Sequence, residues 1–264
     1  MAPVSFERVA HAVAPQKVSP PAPSFENRWR ARFREFAERR EDDAGIAGWS
    51  ATGLAARMHR FRQLWQRPVS GELWLDAGCG AGTYTRYMQS EGVSVVGLDY
   101  SAPSIEKARA RGVRDILWAV GDVTRLPLAS ATFDGAVCFG VTQALSSSDP
   151  VLRELSKVVR PGGQIWVDAL NGWCLPHVWE RIRRKLSRRP VHVRYESPRR
   201  MVKMLRHNGL TEVRLHWIPI LPARLVRLQP AIESTMARSL FRFVPLLGAL
   251  FSHAFAVQGQ RPGG

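Results

Sequence analysis

Cysteine, acidic residues and long apolar runs are all scarce in this sequence. Its three cysteines, Cys79, Cys138 and Cys174, show no CxxC spacing, so we predict neither a disulfide framework nor a metal site. The longest unbroken apolar run, residues 243–251, is too short to span a bilayer. Residues 1–24 contain no apolar run long enough for a signal-peptide core. We therefore expect a cytoplasmic protein with a disordered leader over residues 1–24.

The shortage of acidic residues leaves the chain strongly basic. It has 38 Lys and Arg against 22 Asp and Glu, a formal net charge of +16. Basic residues crowd the segment 181–206, in which Glu196 is the single acidic residue. Such a segment indicates attraction to phosphates, anionic membrane surfaces or acidic ligands.

Helical spacing is typical of residues 25–70, which we interpret as an N-terminal helical cover. Apolar side chains recur there at steps of three or four, in two groups separated by Gly48: Phe25, Trp29, Phe33 and Phe36, then Leu54, Met58, Phe61 and Trp65. This spacing predicts two amphipathic helices.

From residue 71 the pattern changes to short apolar strands that alternate with helical segments. The predicted strands are 72–77, 94–99, 115–120, 134–139 and 163–169, followed by a helix over 198–208 and strands over 211–217 and 253–259. Strands separated by helices predict βαβ units and a parallel sheet, with the ligand at the carboxyl ends of the strands. Residues 71–264 should therefore form one α/β domain, with an insertion over 218–252.

Three glycines directly follow the first predicted strand, in the block "LDAGCGAG". A dinucleotide-binding turn has the pattern G-x-G-x-x-G, but here Gly82 comes one place early. Asp76 would repel a pyrophosphate and would suit a cationic ligand. Asp99 ends the second strand, where a carboxylate can accept both hydroxyls of a ribose.

Four blocks in this order resemble the class I S-adenosylmethionine-dependent methyltransferases, particularly the small-molecule group of the ubiquinone and menaquinone type (methyltransferase type 11). They are "LDAGCGAG", "VVGLDYS", "GDVTRLPLASATFDGAVC" and "LRELSKVVRPGGQIWVD". The resemblance implies S-adenosyl-L-methionine as the cofactor. It also implies a Rossmann-like α/β fold: a seven-stranded, mostly parallel sheet with helices on both faces and an antiparallel last strand.

The same resemblance implies a set of cofactor-binding residues. The turn should hold the methionine portion, Asp99 the ribose and Asp122 with Val123 the adenine, while Phe139 and Gly140 close over the cofactor. The complete set is Asp76, Gly78, Cys79, Gly80, Gly82, Asp99, Tyr100, Asp122, Val123, Phe139 and Gly140. Asp134 starts the fourth strand, away from the ligand, and is expected to be structural.

Methyl transfer from a sulfonium needs positioning and the exclusion of water more than a covalent nucleophile. A hydroxyl acceptor would still gain from a general base, for which His177, His192 and Tyr195 are the candidates. Asp168 and Asn171 lie near the end of strand five, where groups that face the acceptor are expected. Each of these residues also has an ordinary structural interpretation, as a packed histidine or a loop cap.

Residues 171–252 should cover the acceptor side of the pocket. Apolar residues alternate with arginines in the insertion. This pattern is typical of a lid or of a segment that lies on an anionic membrane. We therefore expect peripheral membrane contact through 181–252 as one use of this region. Because "FGVTQAL" lacks the Asn/Asp-Pro-Pro-aromatic block of base N-methyltransferases, we do not expect nucleic acid as a partner. The sequence thus favours O- or C-methylation of a small, apolar organic acceptor. The alternatives are an RNA methyltransferase and a catalytically silent scaffold at a membrane.

Overall fold

The computed structural model describes residues 24–65, 71–112, 115–188 and 193–263. They form a seven-stranded sheet in the order β3-β2-β1-β4-β5-β7-β6. The strands are β1 Leu73–Ala77, β2 Ser94–Asp99, β3 Ile116–Val120, β4 Phe133–Cys138, β5 Val159–Leu170, β6 Thr211–Ile218 and β7 Ala254–Gln260. Strands β1 to β5 pair in parallel, whereas β7 lies antiparallel between β5 and β6. The predicted fold class is confirmed.

Helices precede the sheet and connect its strands. They are α1 Phe25–Arg39, α2 Asp43–Ile46, α3 Ala51–Leu64, α4 Thr83–Ser90, α5 Ala102–Ala110, α6 Asp149–Val158, α7 Leu175–Leu186, α8 Pro198–His207, α9 Gln229–Ile232, α10 Thr235–Phe243 and α11 Pro245–Phe251. Two short 3-10 helices, Thr142–Ala144 and Ala223–Leu228, also lie in the described part of the chain. Most of the predicted leader lies outside the described residues. Its last residue, Ser24, caps α1 by accepting a hydrogen bond from the Asn27 amide at 3.2 Å.

Alternation along the strands divides the apolar core into two clusters. Leu73 and Leu75 of β1 belong to the cluster that includes residues of α6 and α8, whereas Trp74 belongs to the cluster that includes residues of α3 and α4. Since successive side chains of a strand point to opposite faces, these clusters lie on opposite sides of the sheet. The central strands are buried on both sides, which explains their nearly continuous apolar sequence.

Strand β5 starts earlier than the sequence pattern predicts. The predicted strand began at Gly163, but β5 begins at Val159, directly after α6. The intervening residues remain in the strand because Val159 pairs with Phe133 and the Gly162 amide bonds to the Arg261 carbonyl at 2.8 Å. Gly162 supports this path with a φ of 80°, which a residue with a side chain seldom adopts.

The carboxyl ends of several strands and the ends of the insertion lie at the same edge of the sheet. The carboxyl ends of β1, β2 and β4 meet there because parallel strands share a direction. Strand β6 runs parallel to β5, and β7 runs against both. The helices of the insertion, which connect β6 to β7, therefore start and end at this same edge.

Candidate functional site

A cavity opens at the carboxyl ends of β1, β2 and β4, with a volume of about 920 Å³ that includes the part open to solvent. Its size suits a nucleoside-sized ligand and an acceptor. Nine of the predicted cofactor residues line it: Gly78, Cys79, Gly80, Asp99, Tyr100, Asp122, Val123, Phe139 and Gly140. The structure thus brings together residues from four separate segments of the chain.

The glycine turn presents bare backbone to this cavity. Gly78, Gly80 and Gly82 have φ angles of 84°, 54° and 82°, values that favour glycine. A Cβ atom at Gly78 would clash with the side chain of Val141, and one at Gly82 would clash with the Trp118 ring. Gly82 does not line the cavity, so its missing side chain serves packing against Trp118.

Asp99 ties the end of β2 to the glycine turn. Its Oδ2 accepts a hydrogen bond from the Gly80 amide at 2.8 Å, and its Oδ1 accepts one from the Ser101 amide at 2.8 Å. Burial raises the pKa of the carboxyl group, while the hydrogen bonds from Ser101 and Gly80 oppose the shift. A carboxylate has about four acceptor positions. Asp99 can therefore hold the turn and still accept from a ligand.

Asp76 lies behind the turn rather than on the cavity wall. It is 1% exposed, and its Oδ2 accepts a hydrogen bond from the Thr85 hydroxyl at 2.6 Å. Burial raises its pKa to about 7; the Thr85 hydrogen bond opposes this shift and the charge of Asp99 adds to it. In this position Asp76 anchors the first turn of α4 beneath the glycines.

At the far end of the cavity, Arg30 of α1 forms an ion pair with Asp122. Its guanidinium also lies 4.4 Å from the centroid of the Tyr100 ring. Asp122 Oδ1 accepts hydrogen bonds from the amide and the hydroxyl of Thr124, at 2.8 and 2.7 Å. Arg30 is not among the site residues predicted from the sequence. It falls within a predicted helix, but nothing in the local pattern links it to a residue 92 positions away.

The N-terminal helices form a roof over the cavity. Six apolar side chains of these helices and the loop between them line it: Trp29, Phe33, Ile46, Ala47, Trp49 and Leu54. Polar contacts hold the roof in place. Asp43 of α2 accepts from Arg86 at 2.5 Å and also pairs with Arg111, while Glu26 accepts from the Ser146 amide at 3.0 Å.

The candidate general bases do not line this cavity in the part of the chain that the structure describes. His177 is 6% exposed; its Nδ1 lies 2.8 Å from the Asn171 carbonyl oxygen and its Nε2 lies 2.9 Å from His253 Nδ1. Burial lowers the pKa of both histidines, that of His253 to about 3. The Tyr195 ring packs on His177 with centroids 4.5 Å apart. His192 lies outside the described residues.

The two other acceptor-side candidates also have buried structural partners. Asp168 Oδ2 accepts from Arg57 Nε at 2.8 Å and its Oδ1 accepts from the Gly140 amide at 2.7 Å. The Asn171 side-chain amide donates to the carbonyl oxygens of Ala249 and Ser252, at 2.7 and 2.8 Å. Asp168 therefore positions Gly140, and Asn171 joins the end of β5 to the end of α11.

Comparisons with known proteins find methyltransferases among the proteins that this chain resembles. The family model described as "Methyltransferase domain" matches residues 75–167. A malonyl-[acyl-carrier protein] O-methyltransferase of Pseudescherichia vulneris is 26% identical over 83% of this chain and 95% of that protein. Its counterpart from Erwinia pyrifoliae is 36% identical over 45% of this chain and 46% of that protein. A probable tRNA methyltransferase 9B of Bos taurus is 35% identical over 41% of this chain and 23% of that protein. The chain thus spans less than half of the last two relatives.

Among solved structures, the fold resembles magnesium protoporphyrin IX methyltransferase from Synechocystis with bound S-adenosylhomocysteine. The TM-score is 0.62 at 13% identity, over 90% of this chain and 100% of that one. A likeness at this identity concerns the fold, whereas the family match and the relatives concern the activity. Residues 75–167 therefore form a methyltransferase domain, and the fold and the relatives support a class I S-adenosylmethionine-dependent methyltransferase.

Proposed function

We propose that this enzyme transfers the methyl group of S-adenosylmethionine to an oxygen atom of a small organic acceptor with an apolar body. The observation that carries the proposal is the roof of Trp29, Phe33, Trp49 and Leu54 over the cavity, because apolar walls favour an apolar ligand and keep water from the reaction. The match to a malonyl-[acyl-carrier protein] O-methyltransferase, which covers 83% of this chain, supports oxygen as the methylated atom.

In this proposal the glycine turn holds the methionine portion of the cofactor, Asp99 the ribose hydroxyls, and Asp122 with Val123 the adenine. A hydrogen bond to a charged group contributes about 1.5–3 kcal/mol, so Asp99 should be the largest single polar contributor. Phe139 and Gly140 would lie beside the sulfonium. The reaction is an in-line displacement in which the positive charge on sulfur is lost, so an apolar, well-positioned site favours it.

Calorimetry with S-adenosylmethionine tests the cofactor assignment. Asp99→Ala should weaken binding about tenfold or more, since about 1.4 kcal/mol corresponds to one factor of ten. Glu106→Ala, which removes an exposed carboxylate from α5, is the control and should bind as the wild type does. Equal affinities for all three proteins, with unchanged circular dichroism, would contradict the ribose assignment.

Product analysis tests the acceptor class. The enzyme should be incubated with methyl-labelled cofactor and, in separate reactions, with malonyl-[acyl-carrier protein], a metabolite extract and total RNA. We expect label in a small acceptor, either as a methyl ester, which base hydrolyses, or as a methyl ether, which base leaves intact. Label in RNA would favour the RNA methyltransferase alternative. Tight cofactor binding without transfer to any of the three would favour the silent scaffold.

We also propose that the segment 181–252, none of whose described residues lines the cavity, contacts anionic membrane surfaces, which would bring an apolar acceptor to the enzyme. Leu175, Trp179, Ile182 and Leu186 of α7 are 47–80% exposed and recur at helical spacing on one face. On α10, Met236 and Phe243 are 82% and 81% exposed. Exposed basic residues flank these faces: Arg181, Arg183, Lys185, Arg188 and Arg242. None of the described helices is long and apolar enough to cross a membrane.

Vesicle co-sedimentation tests the membrane contact. Binding should occur with phosphatidylglycerol vesicles, decline with salt and be absent with phosphatidylcholine alone. Trp179→Ser and Lys185→Ser should each weaken it, whereas Lys157→Ser, an exposed lysine on α6, is the matched control. Equal effects of the two lysine variants would show that net charge alone, rather than this face, governs binding.

A further inference from the structure

Two residues that line the cavity carry buried hydrogen-bond donors without a partner among the described residues. These donors are the hydroxyl of Tyr84 and the indole N–H of Trp49, and both residues line the cavity. Tyr84 is 6% exposed. A buried polar group without a partner costs about 1–3 kcal/mol, so such groups are rare and point to a ligand or a functional role.

Both residues flank the end of β4, next to the glycine turn. The Tyr84 ring packs against Phe139 with ring centroids 4.7 Å apart. The Trp49 ring lies so close to Gly140 that a Cβ atom there would be 2.5 Å from it. Tyr84 belongs to the first turn of α4, directly after the glycines. Both residues therefore lie where the turn and the end of β4 meet.

A buried ion pair fixes this arrangement from behind. The Arg57 guanidinium lies 4.4 Å from the centroid of the Trp49 ring, and its Nε donates to Asp168 at 2.8 Å. Asp168 in turn accepts from the Gly140 amide at 2.7 Å. Arg57 and Asp168 are 4% and 1% exposed. Because the charges of Arg57 and Asp168 offset each other, the ion pair holds this part of the structure in place without adding a net charge beside Tyr84 and Trp49.

We infer that Tyr84 and Trp49 form an acceptor subsite that holds one oxygen of a carboxyl group, while the second oxygen of that group takes the methyl. This inference rests on the proposed function and names its substrate class as carboxylic acids. The indole N–H can only donate. Burial raises the pKa of Tyr84 well above its usual value, so its hydroxyl also stays protonated and can donate.

The chemistry balances without a proton transfer. A lone pair of the carboxylate oxygen forms the new C–O bond, the S–CH₃ bond breaks, and its electron pair stays on sulfur to give S-adenosylhomocysteine. The negative charge of the carboxylate and the positive charge of the sulfonium disappear together. A carboxylate acceptor therefore needs no general base, which agrees with the position of His177 and Tyr195 away from the cavity wall.

The test uses Tyr84→Phe, which removes only the hydroxyl, and Trp49→Phe, which removes the indole N–H. The probe is the malonyl thioester of N-acetylcysteamine, measured for binding to protein saturated with S-adenosylhomocysteine and for methyl transfer. We expect each variant to bind S-adenosylhomocysteine within about twofold of the wild type. Probe affinity should fall about tenfold or more, and the KM of the probe should rise correspondingly. Tyr87→Phe, at a tyrosine that packs on Phe61 and Trp65, is the matched control.

Each outcome decides between the two proposals. Weaker binding of S-adenosylhomocysteine with unchanged probe affinity would overturn the inference, because the donors would then serve the cofactor. No binding of the probe to the wild-type protein, or no difference between Tyr84→Phe and Tyr87→Phe, would also overturn it. If the wild type binds the probe through Tyr84 but forms no methyl ester, the subsite stands and the proposed transfer to it fails.

Discussion

At the scale of a single residue, Asp76 makes stability depend on pH. Its pKa of about 7 in the folded protein lies above the ordinary value of 3.8, so the folded state binds a proton that the unfolded state releases between about pH 4 and 7. The free energy of unfolding should therefore fall as pH rises through this window. Asp76→Asn removes the titration and keeps an oxygen that can accept from Thr85.

Urea denaturation of the wild type and of Asp76→Asn from pH 4.5 to 8 measures this effect. The stability of the variant relative to the wild type should rise up to about pH 7 and then stay level. The rise should be on the order of 3 kcal/mol, since about 2.5 pH units separate pH 4.5 from the folded pKa of about 7 and one unit corresponds to about 1.36 kcal/mol. Burial also raises the pKa of Asp99 and Asp168, but both groups are present in both proteins. A constant difference would show that Asp76 is ionised throughout.

At the scale of an element, α2 fastens the roof to the sheet domain through one carboxylate. Asp43 forms ion pairs with Arg86 of α4 and with Arg111, which follows α5. It also accepts a hydrogen bond from the hydroxyl of Thr83, and its side chain is only 21% exposed. Asp43→Asn removes the charge that these two arginines share. We expect faster amide hydrogen exchange over residues 25–64, with exchange in β1, β2 and β4 unchanged.

The control for this experiment is Glu35→Gln, which removes the carboxylate from the exposed pair with Arg39 on the same roof. An exposed pair within a helix contributes only a few tenths of a kcal/mol. Its exchange pattern should therefore match the wild type. Unchanged exchange in Asp43→Asn would mean that the roof is held by its apolar contacts with the cavity rather than by Asp43.

At the scale of the whole molecule, ligand binding should stabilise the fold because the cavity draws on both the roof and the sheet. A ligand at 100 times its Kd adds about 2.7 kcal/mol to the free energy of unfolding, and about 1 kcal/mol raises Tm by roughly 2–4 °C for a chain of this size. S-adenosylhomocysteine should therefore raise the Tm of the wild type by several degrees.

Differential scanning calorimetry at fixed ligand concentration checks this expectation. Asp99→Ala should show a much smaller rise than the wild type, while Glu106→Ala should show the full rise. A similar rise in Asp99→Ala would indicate that the ligand binds elsewhere or without its ribose contact. Because all three cysteines are free and buried, a reductant added to the buffer should leave these Tm values unchanged.

Local sequence patterns predict the strands and the glycine turn of this protein. Buried parallel strands need nearly continuous apolar runs, so β1 and β2 appear in the sequence close to their true bounds. The glycine turn is also a local signal, because its backbone conformation requires glycine. Asp99 could be predicted because its position depends only on where β2 ends.

Only the tertiary structure decided which side chains meet. Arg30 pairs with Asp122 across 92 positions, and Arg57 pairs with Asp168 across 111. Hydrophobic periodicity predicts which face of a helix is apolar, but it does not predict which distant residue a side chain of that helix contacts. His177 likewise has a side chain that could act as a general base, but it is buried against Asn171, which follows β5, and against His253. The glycine turn and Asp99 could be predicted from local sequence, whereas the proposed acceptor subsite lies where the N-terminal helices close over the end of β4.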